Sequence, residues 1–287
     1  MQELQNQVRR NWTNTIFLFG LPVLTVLSLF YYVSHYGFAL SDFLIFLLMY
    51  SLCGLSITMG YHRYYSHKAF ECHPLIQFYF LVFGAATLEN SALCWVSDHR
   101  KHHTHTDQEL DPYNIKKGFW WAHMGWILYD DPKNSEPENV ADLKKSGLAL
   151  WQHKYYRWIG LSMSFAFPAL LGWAFDRPMA GLIWGGLLRQ VIVHHSTFLI
   201  NSAAHYFGSK PFSKNISARD SWWLALFSFG EGFHNFHHAY PSDYRNGVRW
   251  YHWDPTKWLV RGLAPLGLTW NLRTPFEAAK SRPTLNP

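Results

Sequence analysis

The sequence predicts an all-α integral membrane protein with four transmembrane helices in two hairpins and a helical cytoplasmic cap. Three observations carry that expectation. Apolar runs come in two pairs, each pair joined by a short linker. Lys and Arg fall almost entirely outside those pairs. Trp, Tyr and Phe number fifteen, sixteen and twenty-two among 287 residues, and Trp and Tyr favour membrane interfaces, where one end of the ring is apolar and the other wet. The mean hydropathy of −0.13 is too low for spans alone. A substantial polar cap therefore belongs to the same single domain, residues 1–287.

The first span is placed at residues 14–34, inside a stretch from Asn11 to Ser41 that has no Asp, Glu, Lys or Arg. It can cross a hydrocarbon core of about 30 Å. It is too long for a signal peptide, and no small-residue cleavage site follows it. The second is placed at 39–60, with Asp42 near its start. The apolar run from Pro74 to Leu88 is short and reads as a helix in or near the interface. The third and fourth spans are placed at 158–175 and 179–200, joined by a linker with "DRP"; Arg189, His194 and His195 interrupt the fourth. The cap comprises 61–157 and 201–287, and the tail after Thr274 reads as loosely ordered. Eleven Lys or Arg lie between His62 and Arg157, and ten follow Asn201. By the positive-inside rule this puts both termini and both parts of the cap in the cytoplasm. The host could equally be a bacterial inner membrane or the endoplasmic reticulum.

A net charge of +6 suits anionic lipid headgroups or an acidic partner protein. Nucleic acid is disfavoured, since there is no dense basic run or reading helix. Cys53, Cys72 and Cys94 form no CxxC pair and imply no disulfide framework.

Histidine is the unusual residue. "HRYYSH" supplies His62 and His67, "HRKHH" supplies His99, His102 and His103, and "HNFHH" supplies His234, His237 and His238. All three segments fall in the cap, just beyond apolar runs. In HxxHH the positions i, i+3 and i+4 project from one helical face, so each triplet is expected to present its rings to a common point. In HxxxxH the i and i+5 positions share no α-helical face, which suits a helix end where the chain turns. Eight imidazoles exceed the needs of one ion and suit two, each with about four to six ligands. Imidazole suits Zn, Cu, Fe and Ni. Structural zinc usually recruits cysteine. Carboxylate-bridged di-iron sites use two E-x-x-H motifs, and only Glu231–His234 matches. A histidine-rich, redox-active pair is therefore expected, with iron preferred. His35, His73, His123, His153 and His252 read as ordinary satisfied polar residues. His105 lies off the spacing, and His194 and His195 read as packing or tunnel lining.

The motifs "GYHRYYSH", "DHRKHHTHTDQELDPY" and "GEGFHNFHH" closely resemble those of the integral-membrane fatty acyl desaturases of the stearoyl-CoA (delta-9) type, over about residues 40 to 250. The resemblance implies an oxidoreductase that uses O2 and two iron ions to place a cis double bond in a saturated acyl chain. It makes His205, in "NSAAHYFG", a ninth imidazole ligand, with Asn201 meeting one iron through water. It implies that Trp95 and Thr197 shape a bend in the acyl tunnel, that Tyr50 closes its far end, and that Asn90 and Arg100 meet the headgroup. Tyr50 and Gly54 precede His62 by twelve and eight residues, or ~18 and ~12 Å along a helix. A chain entering beside the metals could run down to Tyr50, with small Gly54 leaving room. Ordinary helix packing reads almost as well for both.

Three departures stand out. Glu89 replaces the glutamine of the animal enzymes, and Phe198 their tryptophan. Asp130 and Asp131 stand where those enzymes carry a basic pair facing the CoA phosphates. Two carboxylates repel phosphate, so acyl-CoA, acyl carrier protein and an intact glycerolipid all stay open as carriers. No haem, ferredoxin-type or dinucleotide motif is present. Two electrons per turnover must then come from an external donor, cytochrome b5 or a ferredoxin with its reductase. An acyl-lipid desaturase and a di-iron hydroxylase or alkane oxygenase share the same histidine framework. A metal transporter is disfavoured, because the histidines gather at the span ends rather than along a path through them.

Overall fold

The computed structural model describes residues 9–130 and 137–280. It is helical, with only two-residue strand pairings: β1 (Arg9–Arg10) with β3 (Tyr129–Asp130), and β2 (Glu71–Cys72) with β4 (Thr269–Trp270). Asp131 lies outside the described residues. Asp130 accepts a hydrogen bond from Asn11 Nδ2 at 2.7 Å.

Among the described residues, two helices are long and apolar enough to cross a membrane, α1 (Trp12–Tyr36) and α2 (Leu40–Ser66). Asn11 caps α1 by accepting from the Asn14 N–H at 2.8 Å. Its flanks leave Ile16, Val23, Leu27 and Phe30 exposed, as a lipid-facing helix requires. α6 runs without a break through Gly147–Leu161, Ser162–Ala166 and Phe167–Trp173. α7 runs likewise from Pro178 to Ser202. The expected third and fourth spans lie within these two helices, except that the third starts well after the helix does. The third ends in the turn at 174–176 that follows α6.

The hairpins are fastened at their linkers. Asp42, fully buried at the start of α2, accepts from Arg177 Nε at 2.9 Å and Nη2 at 3.0 Å. α2 then packs on α7 at Gly185, where a Cβ would stand 2.8 Å from Ile45 Cγ2. Small residues let apolar helices approach this closely. Arg189, inside the stretch expected as a fourth span, is fully buried and spends its guanidinium on the Gly185, Ala86 and Ser164 carbonyls and on Gln190.

α2 does not end at residue 60. It continues to Ser66, and residues 56–66 are wound with wider i→i+5 turns. Short π-helical insertions of this kind cluster at functional sites. α3 (Pro74–Ala85) packs against this stretch and against α6, and α4 (Ala92–His105) follows. α5 (Phe119–His123), α8 (Trp222–Phe227), α9 (His234–Ala239) and α10 (Pro255–Leu263) complete the cap. Residues 275–280 of the tail expected to be loose are helical, and 281–287 lie outside the described residues. α11 (Pro275–Lys280) seats Phe276 against Phe212, Phe236 and Tyr240.

Span and cap are joined through Arg63, which has no exposed surface. It donates to Glu231 Oε1 from Nη2 at 2.9 Å, to Asp254 Oδ2 from Nη1 at 3.1 Å, and to the Tyr244 carbonyl at 2.8 Å. Removing one partner of a buried charge network leaves the others uncompensated, at a cost of roughly 3–5 kcal/mol. Arg63→Met should therefore lower the thermal midpoint of the detergent-purified protein sharply or abolish its recovery. A midpoint equal to the parent's would remove Arg63 as the link.

Candidate metal centre

The clustered histidines converge as two neighbouring sets. In one, ring nitrogens of His62, His67, His99, His103 and His237 all lie within 4.8 Å of one another; in the other, those of His102, His205, His234 and His238 do. Within the first, Nε2 of His62 and His237 are 3.0 Å apart, His67 and His99 2.8 Å, and His237 and His103 3.0 Å. Within the second, the His234–His205 and His238–His234 pairs are each at 3.1 Å. The sets adjoin where the His103 and His238 rings stack at 4.2 Å.

One expectation about spacing needs correction. The triplets do not each serve one point. Successive residues advance by about 100° around an α-helix. Positions i and i+4 therefore differ by about 40°, while i+3 diverges from i+4 by about 100°. His99 and His103 accordingly go to one set and His102 to the other. His234 and His238 likewise stay together and release His237. HxxxxH does stand at a helix end, since α2 stops at Ser66 and His67 follows it, but the turns there are wider than α-helical ones. The widened turns of α2 carry the His67 N–H onto the His62 carbonyl at 3.2 Å. They bring the two rings to 4.9 Å, because an i→i+5 turn aligns residues that an α-turn would separate.

A second layer fixes the rings. His102 Nδ1 lies 2.8 Å from Asp111 Oδ1. His205 Nδ1 lies 2.6 Å from Ser217 Oγ, which donates in turn to Asp107. His99 Nδ1 reaches Tyr113 Oη at 3.4 Å. His62 Nδ1 sits at ion-pair distance, 2.7 Å, from Glu231 Oε2, out of line for a hydrogen bond. Burial pushes Glu231 up, but the His62 and Arg63 charges prevail and hold it down at about 2. With a proton on Nδ1, the lone pair belongs to Nε2 and faces inward. Several such lone pairs crowded together repel unless a cation lies among them. The donor set therefore fits a metal ion in each cluster. Asp111, Ser217 and Tyr113 were not singled out from sequence. Their signal was present, since carboxylates and hydroxyls that orient ligand imidazoles commonly accompany them.

A cavity of about 640 Å³, counting its open mouth, starts at these histidines. Along α2 its wall is Tyr50, Gly54, Ile57, Thr58 and His62, one face of the helix. Trp95, Thr197 and Asn201 also line it. The Trp95 ring stacks on His99 at 5.0 Å. Glu89 joins the bend residues, accepting from Trp95 Nε1 at 3.3 Å and from Thr197 Oγ1 at 3.0 Å. Its side chain keeps some exposure, yet withdrawal of the carboxyl from water raises it to about 8. The room expected beside Gly54 is taken, since a Cβ there would stand 2.1 Å from Phe229 Cε2.

Two expected headgroup residues sit apart from the cavity lining. Asn90 is exposed, and its Oδ1 accepts from the Ser91 N–H at 3.0 Å. All five Arg100 donors are engaged, on the Ser66, Tyr65 and Asn139 carbonyls and twice on Asp142. This geometry makes Arg100 a clamp between α2 and α4, with no donor spare for a headgroup. Six other histidines have polar partners elsewhere: His123 pairs with Ser202 and His195, His153 with Ser91, and His194 with Gln190 and the Thr87 carbonyl. His35 meets the Tyr31 carbonyl and His73 accepts from the Leu75 N–H. His252, expected to be satisfied, stacks on Phe233 while its buried Nδ1 has no partner.

Two outcomes follow from this geometry. Asp111→Asn should weaken metal binding roughly 10–100-fold, the usual effect of losing an outer partner, read by chelator competition. An unchanged affinity would detach Asp111 from the site. Burial, followed by neighbouring imidazoles, lowers His67, His99, His103, His237 and His238 well below 6.5. A lowered folded value means the unfolded chain takes up protons first, so stability is held above 6.5 and lost as pH falls below it. The thermal midpoint of metal-stripped protein should drop steadily between pH 7.5 and 5.5, about one unit either side of the reference value. A flat profile contradicts this.

Comparison with known proteins agrees with the site. The sequence model of the fatty acid desaturase family matches residues 41–274. A probable acyl-CoA desaturase of Schizosaccharomyces pombe is 41% identical over 275 residues, 94% of this chain and 56% of that protein. Acyl-CoA desaturase 1 of Saccharomyces cerevisiae is 38% identical over 92% of this chain and 52% of its own length. The chain thus spans about half the length of these two relatives. The sn-1 stearoyl-lipid 9-desaturase of Anabaena variabilis is 34% identical, with 92% of this chain and 94% of that protein aligned. With the match covering most of its length, the chain belongs to the fatty acid desaturase family.

Proposed function

We propose that this protein is an O2-dependent membrane desaturase that places a cis double bond in a saturated fatty acyl chain. The observation that carries the reading is one apolar cavity that begins at two converging histidine sets. The relatives' names, acyl-CoA and acyl-lipid desaturases, support the acyl chain as substrate.

We assign one iron to His62, His67, His99, His103 and His237, and the other to His102, His205, His234 and His238, with Asn201 reaching it through water. When bound, an iron pair would supply, with O2, two protons and two electrons from a donor such as cytochrome b5 or a ferredoxin, the oxidising power to remove two hydrogens from adjacent methylenes with release of two waters. The protein's own part is geometric. Tyr50, Ile57, Val193 and Phe229 line a cavity in which apolar surface prevails, which holds an alkyl chain away from water. Trp95 and Thr197, tied by Glu89, fix the wall beside the histidines, and so which carbons stand there. Glu231 and Asp111 keep imidazole lone pairs turned inward. We place four spans in the membrane and the histidine end in the cytoplasm, where the basic cap can dock an acidic electron donor.

Expression in a host lacking its own desaturase, with a compatible donor and saturated substrates, should yield new monounsaturated chains. His237→Ala should return the profile to background while the protein remains in the membrane. Wild-type expression without new double bonds rejects the reading, and an oxygenated product instead would reassign it to hydroxylation.

A further inference from the structure

We propose that Phe229 sets how far an acyl chain reaches into the cavity, and hence the chain length that is accepted. The inference rests on the acyl-chain reading above and concerns a residue that no sequence motif singles out.

The backbone is the first observation. Phe229 follows α8 and Ser228 with φ of 53°, and Gly230 follows with φ of 102°. A bulky residue in the left-handed region is an outlier, and glycine ordinarily fills this position after a helix. Such a conformation persists only where the surroundings over-determine it.

The ring is the second. Its Cε2 and Cδ2 atoms would lie 2.1 and 2.7 Å from a Cβ at position 54. The ring thus fills the notch that Gly54 leaves in α2, and α2 tolerates it only because residue 54 has no side chain. It also lies 5.2 Å from the Tyr50 ring.

The third is how firmly this wall is held. Tyr50 Oη donates to the Phe227 carbonyl and lies 3.1 Å from Ser196 Oγ on α7. The Phe229 carbonyl accepts from Thr256 Oγ1 at 3.1 Å, and that hydroxyl meets Thr58 Oγ1 of α2 at 2.7 Å. The wall is therefore stitched to both spans and to α10. Gly54 lies about two helical turns from His62, so a chain whose reacting carbons stand at the histidines runs toward this ring.

The test uses full-length protein and a graded series of saturated chains from myristoyl to behenoyl. Mass spectrometry reads which chains the purified protein retains, and host lipid analysis reads which become unsaturated. Phe229→Ala should shift both profiles toward longer chains, with Phe229→Leu between it and the parent. Gly54→Ala should drive the ring into the cavity and shift both toward shorter chains. Adding Phe229→Ala to Gly54→Ala should reverse that shift. Parental profiles in folded Phe229→Ala and Phe229→Leu proteins, or a Gly54→Ala shift that Phe229→Ala does not reverse, overturn the proposal. If the wild type makes no unsaturated product, the desaturase reading fails, and retention alone still decides the role of Phe229.

Discussion

Nine imidazole nitrogens brought together in a protein interior are an electrostatic problem before they are a catalytic device. Each lone pair repels its neighbours, and burial discourages the protonation that would relieve the repulsion in water. Much of the cap serves to impose this arrangement. Asp111 holds His102, Ser217 backed by Asp107 holds His205, and Glu231 faces His62. Glu231 can do so only as an anion, and it stays one because Arg63 is buried against it. With a cation bound among the imidazoles, the charge order would alternate outward, with carboxylates behind the rings and a guanidinium behind one carboxylate. Without the innermost charge, the next two layers would lack part of their reason to be buried.

The same order explains why α2 is wound as it is. His62 and Arg63 are adjacent in sequence, yet one faces the metal set and the other faces Asp254 and Tyr244. The π-wound stretch places His62 and His67 together while Arg63 points into the cap. It also leaves Tyr50, Gly54, Thr58 and His62 on one wall, so a single helix carries the cavity from its histidine end to Tyr50. Span, cap and cavity are consequently one rigid problem. The Asp42–Arg177 pair fastens the linkers, and the Arg63 network fastens the cap end.

Which parts were legible in the sequence follows from which forces are local. The histidine segments were, because residue type and spacing are printed in the chain. Their division between two sets was not, since it depends on the 100° step that separates His102 from His103 once another helix approaches. The widened turns at 56–66 left no compositional mark. Helices do cover the two later apolar runs, but α6 starts well before its run, because cap residues packed on α3 extend it. The structural role of Arg100 was equally hidden. The resemblance gives it a headgroup contact, and its ion pair with Asp142, 42 residues on, appears only once the chain is folded. The room beside Gly54 was inferred from the absence of a side chain, and Phe229, remote in sequence, fills it.

Glu89 shows how a departure from the family pattern can be accommodated by the same physics. Resemblance leads one to expect an amide at this bend. The two groups it meets, the Trp95 indole N–H and the Thr197 hydroxyl, can both donate, and indole can only donate. An amide offers its oxygen to the indole and its NH2 to the Thr197 hydroxyl, which can also accept. A carboxyl, when neutral, matches this with its C=O and its O–H. Its difficulty is charge, since an anion in a nearly apolar wall beside an alkyl chain is costly. Withdrawal from water raises the group to about 8, so the neutral acid predominates at neutral pH. The bend is thus braced by a residue that, as the neutral acid, keeps the acceptor-and-donor pattern of the amide without placing a charge in the cavity wall.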